Sequence, residues 1–203
     1  LKDYLEKREE PKNGLESLPE REEDSKDKIE IRKIENDGSM VDAYVGIDVG
    51  SLSTNVVVID QKREVLARRY LKTAGRPLDA VKRGLLQIGE EIGDKVNIQG
   101  VGTTGSGRYL TAEYVGGDTI RNEITAQATA AISIDPKVDT ILEIGGQDSK
   151  YISIDRSNVI DFEMNKVCAA GTGSFLEEQA EKLGINIIKE FGDMALRSKN
   201  PCR

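Results

Sequence analysis

The sequence predicts a mixed α/β fold built from two related lobes, each opened by a glycine-containing β-hairpin. Three observations lead there. The segment IDVGSLSTNVVVID, starting at Ile47, recurs without a gap as LEIGGQDSKYISID, starting at Leu142, 95 positions on. Strand-like runs flank both turns, and helical periodicity follows each copy. The 203 residues, 37% hydrophobic and 32% charged, suffice for one or two small domains with a real core.

The elements follow in order. Residues 1–40 are dense in Glu, Lys, Asp and Arg, interrupted by Pro11 and Pro19, and predict a charged linker or tail. The folded part is expected to begin near Tyr44. YVGIDVG reads as a buried strand ending in a turn, STNVVVID as a second strand and EVLARRYLK as a third, with residues 60–63 as the connecting turn. Pro77–Ile92 predicts a helix, with proline in its first turn and Ala80, Val81, Leu85, Ile88 and Ile92 on one face. NIQGVG is a strand and residues 122–132 a helix rich in Ala and Thr. DTILEIGGQDSKYISID then repeats the strand–turn–strand theme, and NVIDFEMN adds a strand. Residues 174–183 form a predicted helix with Phe175, Leu176, Gln179 and Leu183 on a stripe, and 187–197 a further one. This places a first lobe at 41–135 and the start of a second at 136–203. The chain begins at Leu1 without Met, so it is expected to be a piece of a longer polypeptide with an incomplete second lobe.

In the gapless alignment of the two copies, Asp48 meets Glu143, Gly50 meets Gly145, Ser53 meets Asp148 and Asp60 meets Asp155. A tight turn brings backbone N–H groups up to an anion, and Gly50, Gly145 and Gly146 lack the Cβ that would block the approach. Ser51, Ser53, Thr54 and Ser149 add neutral hydroxyl donors. The Asp48 and Asp148 carboxylates suit the outer shell of a Mg²⁺ ion or the positioning of an attacking water. One hairpin alone would read as an ordinary glycine turn. Two with the same turn chemistry predict a clamp on a triphosphate. The pair resembles the two phosphate motifs of the superfamily that joins acetate and sugar kinases, heat-shock ATPases and actin. That resemblance implies an actin-like ATPase with ribonuclease-H-like lobes and ATP in the cleft between them.

Gly100-Val-Gly102-Thr-Thr-Gly105 matches the G-x-G-x-x-G dinucleotide fingerprint in letters only. It does not open a βαβ repeat, and no strand ends in an acidic residue at the required distance, since Glu123 falls in a predicted helix. A glycine-rich turn edging the nucleotide cleft is the better reading.

Composition narrows the field. The net charge of −7 weighs against non-specific binding to nucleic acid or an anionic membrane, and no apolar run is long enough to span a bilayer. Two cysteines, Cys168 and Cys202, are too few for a secreted disulfide framework, which favours a cytoplasmic protein. With no histidine, this chain contains no imidazole acid–base catalyst or ligand.

The segment MNKVCAAGTGSFLE places Cys168 just before a glycine loop and a predicted helix. A helix start lowers the pKa of a nearby thiol and favours an anionic ligand. A buried structural cysteine is the plainer alternative. An iron–sulfur cube takes four thiolates, which two chains of two cysteines could supply. DFEMNKVCAAGTGSFLE, together with GIDVGSLST, GTTGSGR, NEITAQA and IGGQDSK, closely resembles the activator ATPases of 2-hydroxyacyl-CoA dehydratases and benzoyl-CoA reductases. The resemblance covers about residues 44–192.

It implies a homodimer sharing one [4Fe-4S] cluster, an electron donor such as ferredoxin or flavodoxin, and ATP-driven electron transfer into a CoA-thioester dehydratase or reductase. Matched residue by residue, Asp48, Gly50, Ser51, Ser53 and Thr54 fall on the first phosphate motif. Gly145, Gly146, Gln147, Asp148 and Lys150 fall on the second. Glu123 matches a glutamate of the nucleotide site, Cys168 the first cluster ligand, and Gly171, Thr172 and Gly173 the loop after it. Asp48, Asp148 and Glu123 are thus the catalytic candidates. The family's second cluster cysteine lies in a segment reading roughly Cys-Thr-Val-Phe, which Cys202-Arg203 does not match. The alternatives are a small-molecule kinase of the same superfamily and a non-catalytic fragment of a larger activator.

Overall fold

The computed structural model describes residues 31–34 and 38–199. The first sheet takes β1 (Val41–Val49), β2 (Ser53–Asp60), β3 (Val65–Lys72), β4 (Val96–Thr104) and β5 (Thr119–Ile120) in the order β3-β2-β1-β4-β5. The β1–β2 and β2–β3 pairs are antiparallel and joined by tight turns; β4 lies parallel to β1 and needs the crossover helix α1 (Pro77–Ile92). Alternation sets the faces. Ala43, Val45, Ile47 and Val49 of β1 and Val56 and Val58 of β2 point into one core, capped by Val81, Ile88 and Ile92 of α1. Each Val or Ile side chain buried there contributes about 1.5–3 kcal/mol. The predicted α1 face forms as expected, with Gly84 added to it. A Cβ on Gly84 would stand 2.8 Å from Val56 Cγ2 and 2.9 Å from Leu71 Cδ1, so the glycine lets the helix sit close on β2 and β3.

The folded part starts earlier than Tyr44. Ile31 bridges to Val65 at the β3 edge, the Arg32 N–H donates to Val65 O at 2.8 Å, and Ile34 packs on the core. The Arg32 guanidinium pairs with the buried Asp60 and reaches Glu64 at 3.4 Å. Burial alone would raise the Asp60 carboxyl. The Glu64 and Lys62 N–H groups and Arg32 outweigh it and hold the group below the usual range. The rest of the expected linker, residues 1–30 and 35–37, lies outside the described residues, as does Cys202.

One helix escapes the sequence reading. α2 (Arg108–Val115) is only eight residues long, lacks a side-chain cap and follows GTTGSG, which reads as turn. It is closed by Gly116 in the left-handed region (φ 69°) and anchored by buried Thr111 and Ala112.

The second sheet is antiparallel in the order β6-β7-β8, from β6 (Thr140–Ile144), β7 (Ser149–Asp155) and β8 (Asn158–Met164). α3 (Glu123–Ile134) starts at Asn122, whose side chain accepts from the Thr125 N–H at 2.8 Å. Its Ile124, Ala128 and Ile132 pack with Ile152 and Ile154 of β7. α3 therefore sits on the second sheet, although a lobe boundary at residue 135 would assign it to the first.

α4 (Gly173–Lys182) buries only Ala180. The predicted apolar stripe is not covered by the described residues: Phe175 is 46%, Leu176 40% and Leu183 69% exposed. The expected helix over 187–197 is split into a wide π turn (Ile187–Phe191) and α5 (Gly192–Arg197). None of the described helices is long and apolar enough to cross a membrane.

Candidate functional site

The duplication survives in three dimensions bond for bond. Asp48 lies opposite Asn55 and Val49 opposite Thr54 in the first hairpin; Glu143 lies opposite Lys150 and Ile144 opposite Ser149 in the second. The Gly50 N–H donates to Ser53 O at 2.9 Å, and the Gly145 N–H donates to Asp148 O at 2.9 Å. A Cβ on Gly50 or Gly145 would come within 3.2 Å or 2.9 Å of that same acceptor.

The two turns also meet. A Cβ on Gly146 would stand 2.2 Å from Leu52 Cδ1. Among the described residues, the backbone N–H groups of Ser51, Leu52, Gly146, Gln147 and Asp148 make no hydrogen bond. These unspent donors at facing turns are what an anion requires. The Gly105 turn closes one side. Gly105 has φ +86°, and a Cβ there would lie 2.4 Å from Val49 O and 2.5 Å from Asp48 Oδ1. The Gly107 N–H (3.0 Å) and Ser106 Oγ (3.3 Å) both donate to Val49 O. The glycine run around residue 102 thus edges the first turn.

Each turn is braced differently. In the first, Thr73 Oγ1 donates to Gly50 O at 2.9 Å, so its single proton is spent. The fully buried Thr54 hydroxyl therefore donates to Thr73 Oγ1, also at 2.9 Å. The Thr73 N–H holds Leu52 O at 2.9 Å. In the second, the braces come from the cysteine segment. Gly145 O accepts from the Gly173 N–H, Gly146 O from the Ser174 N–H and Gln147 O from the Ala169 N–H, at 2.9, 2.9 and 2.8 Å. Ser149 Oγ donates to Gly171 O at 3.3 Å. Cys168 lies exposed in this loop. Thr172 takes the cap position of α4 in extended geometry, and its fully buried hydroxyl finds no partner among the described residues.

The charged groups differ too. Among the described residues, the Asp48 carboxylate accepts only a long hydrogen bond, from Asn55 Nδ2 at 3.5 Å. Its carboxyl is pushed up, chiefly by burial and further by Glu123 and Glu143, with Asn55 and Lys150 opposing. Glu143 pairs with Lys150 at 3.0 Å, and Glu123 of α3 pairs with the same ammonium at 3.4 Å. Burial works against the Lys150 charge, but Glu143 and Glu123 overcome it and raise its pKa above the ordinary 10.5.

The structure thus brings Asp48, Glu123 and Lys150 together and sets the turn of Gly50, Ser51 and Ser53 beside that of Gly145, Gly146, Gln147 and Asp148; Thr54 and Ser149 are not free donors as expected, since the buried Thr54 hydroxyl is spent on Thr73 and the Ser149 hydroxyl on Gly171 O. The Asp148 side chain makes no hydrogen bond or ion pair among the described residues. Gly171, Thr172, Gly173 and Cys168 join the site through the second turn. Sequence reasoning missed Glu143, Asn55 and Thr73. The repeat carried the signal for the first two, since it aligns Glu143 with Asp48 and Lys150 with Asn55. Thr73 had none, as its role depends on the β3 end returning to the turn.

Paired hairpins of this kind, each carried on its own sheet, are those of the actin-like fold. Residues 45–202 match the BadF/BadG/BcrA/BcrD ATPase family, and the chain belongs to it. The (R)-2-hydroxyglutaryl-CoA dehydratase activating ATPase of Acidaminococcus fermentans is 32% identical over 151 residues, covering 73% of this chain and 57% of that protein. The activator of lactoyl-CoA dehydratase of Anaerotignum propionicum is 35% identical over 141 residues, covering 68% and 53%. A benzoyl-CoA reductase component of Thauera aromatica is 32% identical over 165 residues, covering 77% and 56%. The solved structure of the 2-hydroxyisocaproyl-CoA dehydratase activator of Clostridium difficile with bound ADPNP superposes with a TM-score of 0.66 at 27% identity, covering 79% of this chain and 59% of that one. The chain spans about half the length of the curated relatives it matches.

Proposed function

We propose that this chain binds and hydrolyses ATP at the paired turns and acts as an activator, or part of one, that drives an electron into a CoA-thioester dehydratase or reductase. The observation that carries this reading is the hydrogen bonding of the second phosphate turn to the loop that holds Cys168. A triphosphate lies between the unspent N–H groups of the two turns. Water attacks the γ-phosphorus, the bond to the β–γ bridging oxygen breaks, and ADP and phosphate leave.

Asp48, which has no cation paired to it, orients the attacking water and with Asp148 the waters of Mg²⁺. The Asp48 and Asp148 carboxylates beside free donors would suit that ion's water shell, and when bound it would neutralise phosphate charge. Gly50 and Gly145 keep the turns tight. Lys150 locks Glu143 and Glu123 and so fixes α3 against the second hairpin.

Cys168 fits an iron–sulfur cluster only as a shared ligand. No three ligating side chains converge among the described residues, and a cube takes four thiolates, so two chains would have to combine. When bound, the cluster supplies the one-electron chemistry. The homodimer, the partner enzyme and a ferredoxin- or flavodoxin-type donor belong to this proposal.

Anaerobic purification followed by iron and sulfide reconstitution tests it. The expected result is an iron–sulfur absorption band that Cys168→Ala abolishes, with ATP hydrolysis retained. Absence of the band in the unaltered chain, with hydrolysis undiminished in Cys168→Ala, would leave an ATPase without redox function. Phosphoryl transfer to a small-molecule acceptor would instead make it a kinase.

A further inference from the structure

We propose that Asn165 is a positioning residue that couples the second phosphate turn to the Cys168 loop. This coupling rests on the ATP-binding reading above and adds the route by which occupancy reaches the cysteine.

The peptide unit is planar, so the C=O of one residue and the N–H of the next point in opposite directions and tilt together. Three consecutive units span Gly145 to Asp148. Their N–H groups, on Gly146, Gln147 and Asp148, make no hydrogen bond among the described residues. Their carbonyls, on Gly145, Gly146 and Gln147, all accept from the cysteine segment, through the N–H groups of Gly173, Ser174 and Ala169. An anion drawing on one side of these planes therefore pulls on the segment bonded to the other.

Asn165 holds the third plane at its carbonyl and the plane after it at the Ser149 N–H. Its Oδ1 accepts from the Ser149 N–H at 2.9 Å, and its Nδ2 donates to Gln147 O at 3.2 Å and to Val167 O at 2.7 Å. Its own N–H donates to Ser149 O at 3.1 Å. Gln147 O is thus held by Asn165 and Ala169, which flank Cys168 in sequence. The Nδ2 bond to Val167 O fixes the residue immediately before the cysteine. Among the described residues the first turn has no equivalent link; Thr73 holds its Gly50 and Leu52 carbonyls instead.

The test uses the metal-free chain and the magnesium complex of ADPNP. Iodoacetamide labelling of Cys168 is followed on its tryptic peptide by mass spectrometry, with and without the nucleotide. The unaltered chain is expected to show a labelling rate that changes about fivefold or more on nucleotide binding, the ordinary lower range for coupled sites. Asn165→Asp keeps the Oδ1 acceptor but loses both donors. It and Asn165→Ala are expected to bind ADPNP as the unaltered chain does, with the labelling response abolished.

A full response in Asn165→Asp would overturn the proposal. So would loss of ADPNP binding in that variant, which would place Asn165 in the nucleotide site itself. Should the variants not fold, amide hydrogen exchange in the unaltered chain decides: exchange over residues 165–170 unaltered by ADPNP would overturn the coupling. Nucleotide binding without any Cys168 response would overturn the coupling and leave the ATP site standing. Failure of the unaltered chain to bind ADPNP would overturn both.

Discussion

The two hairpins share a backbone and differ in what holds them. Both turns close with the same glycine N–H bond at 2.9 Å. The first is braced by Thr54 of β2 and by Thr73, just past the end of β3, and its carboxylate Asp48 faces a neutral amide. The second is braced by the Cys168 segment, and its carboxylate Glu143 is paired with Lys150. Duplication preserved the geometry that cradles an anion and let the flanking side chains diverge. One copy keeps a carboxylate with no ion pair among the described residues on a mount braced by Thr54 and Thr73, and the other binds its carboxylate into an ion-pair junction and connects to the cysteine loop.

Exchanging the matched carboxylates breaks the comparison most sharply. Asp48→Asn is expected to lower ATP turnover by about 10²-fold or more, the usual scale for a group acting on the reacting water. Glu143→Gln, at the same place in the repeat, should leave turnover within about tenfold and cost stability instead. Equal losses in a steady-state phosphate-release assay would remove the functional asymmetry.

Stability should respond in the opposite sense for Asp48. Its folded pKa is raised, mainly by burial, so the charged form is the disfavoured one in the fold. Stability is therefore lost as pH climbs from the ordinary carboxylate range through the raised value. Asp48→Asn should melt higher than the unaltered chain near neutral pH, and the gap should vanish in acid. A melting curve in which the gap widened in acid would contradict the assignment.

Lys150→Met leaves Glu143 and Glu123 facing each other without a cation. Chemical denaturation should report a loss of about 3 kcal/mol, at the low end for a broken buried pair because both carboxylates keep some water. Lys150 has a raised folded pKa, so its contribution is full below its ordinary 10.5 and fades only as pH rises beyond it. The stability difference should accordingly stay flat across neutral pH.

The smallest effect is expected at Thr73→Val, which leaves Gly50 O and the Thr54 hydroxyl without their partner. Denaturation should show about 1–2 kcal/mol lost. The Cys168 labelling response should remain, since the first turn has no bond to the cysteine segment.

Much of this was legible in the sequence because it is local or repeated. The hairpins follow from alternation and glycine turns, and α1 forms at Pro77–Ile92 as its periodicity predicts. The matched pair Asp48 and Glu143 follows from a gapless repeat. What stayed hidden depends on long-range closure. α3 lies on the second sheet because Ile124, Ala128 and Ile132 find Ile152 and Ile154, which no local pattern encodes. α2 lies below the length at which periodicity speaks. Lys150, read from its motif as a phosphate group ligand, has its ammonium between two glutamates that come from different elements. Asn165 carries no signal at all until the turn it grips is in place.

The central claim is that the facing turns cradle phosphate, and amide chemical shifts test it most directly. Titrating magnesium–ADPNP into the isotopically labelled chain should move the backbone resonances of Ser51, Leu52, Gly146, Gln147 and Asp148 together, along one saturable curve. Binding that left those five amides unmoved while shifting others, or no binding at all, would contradict it.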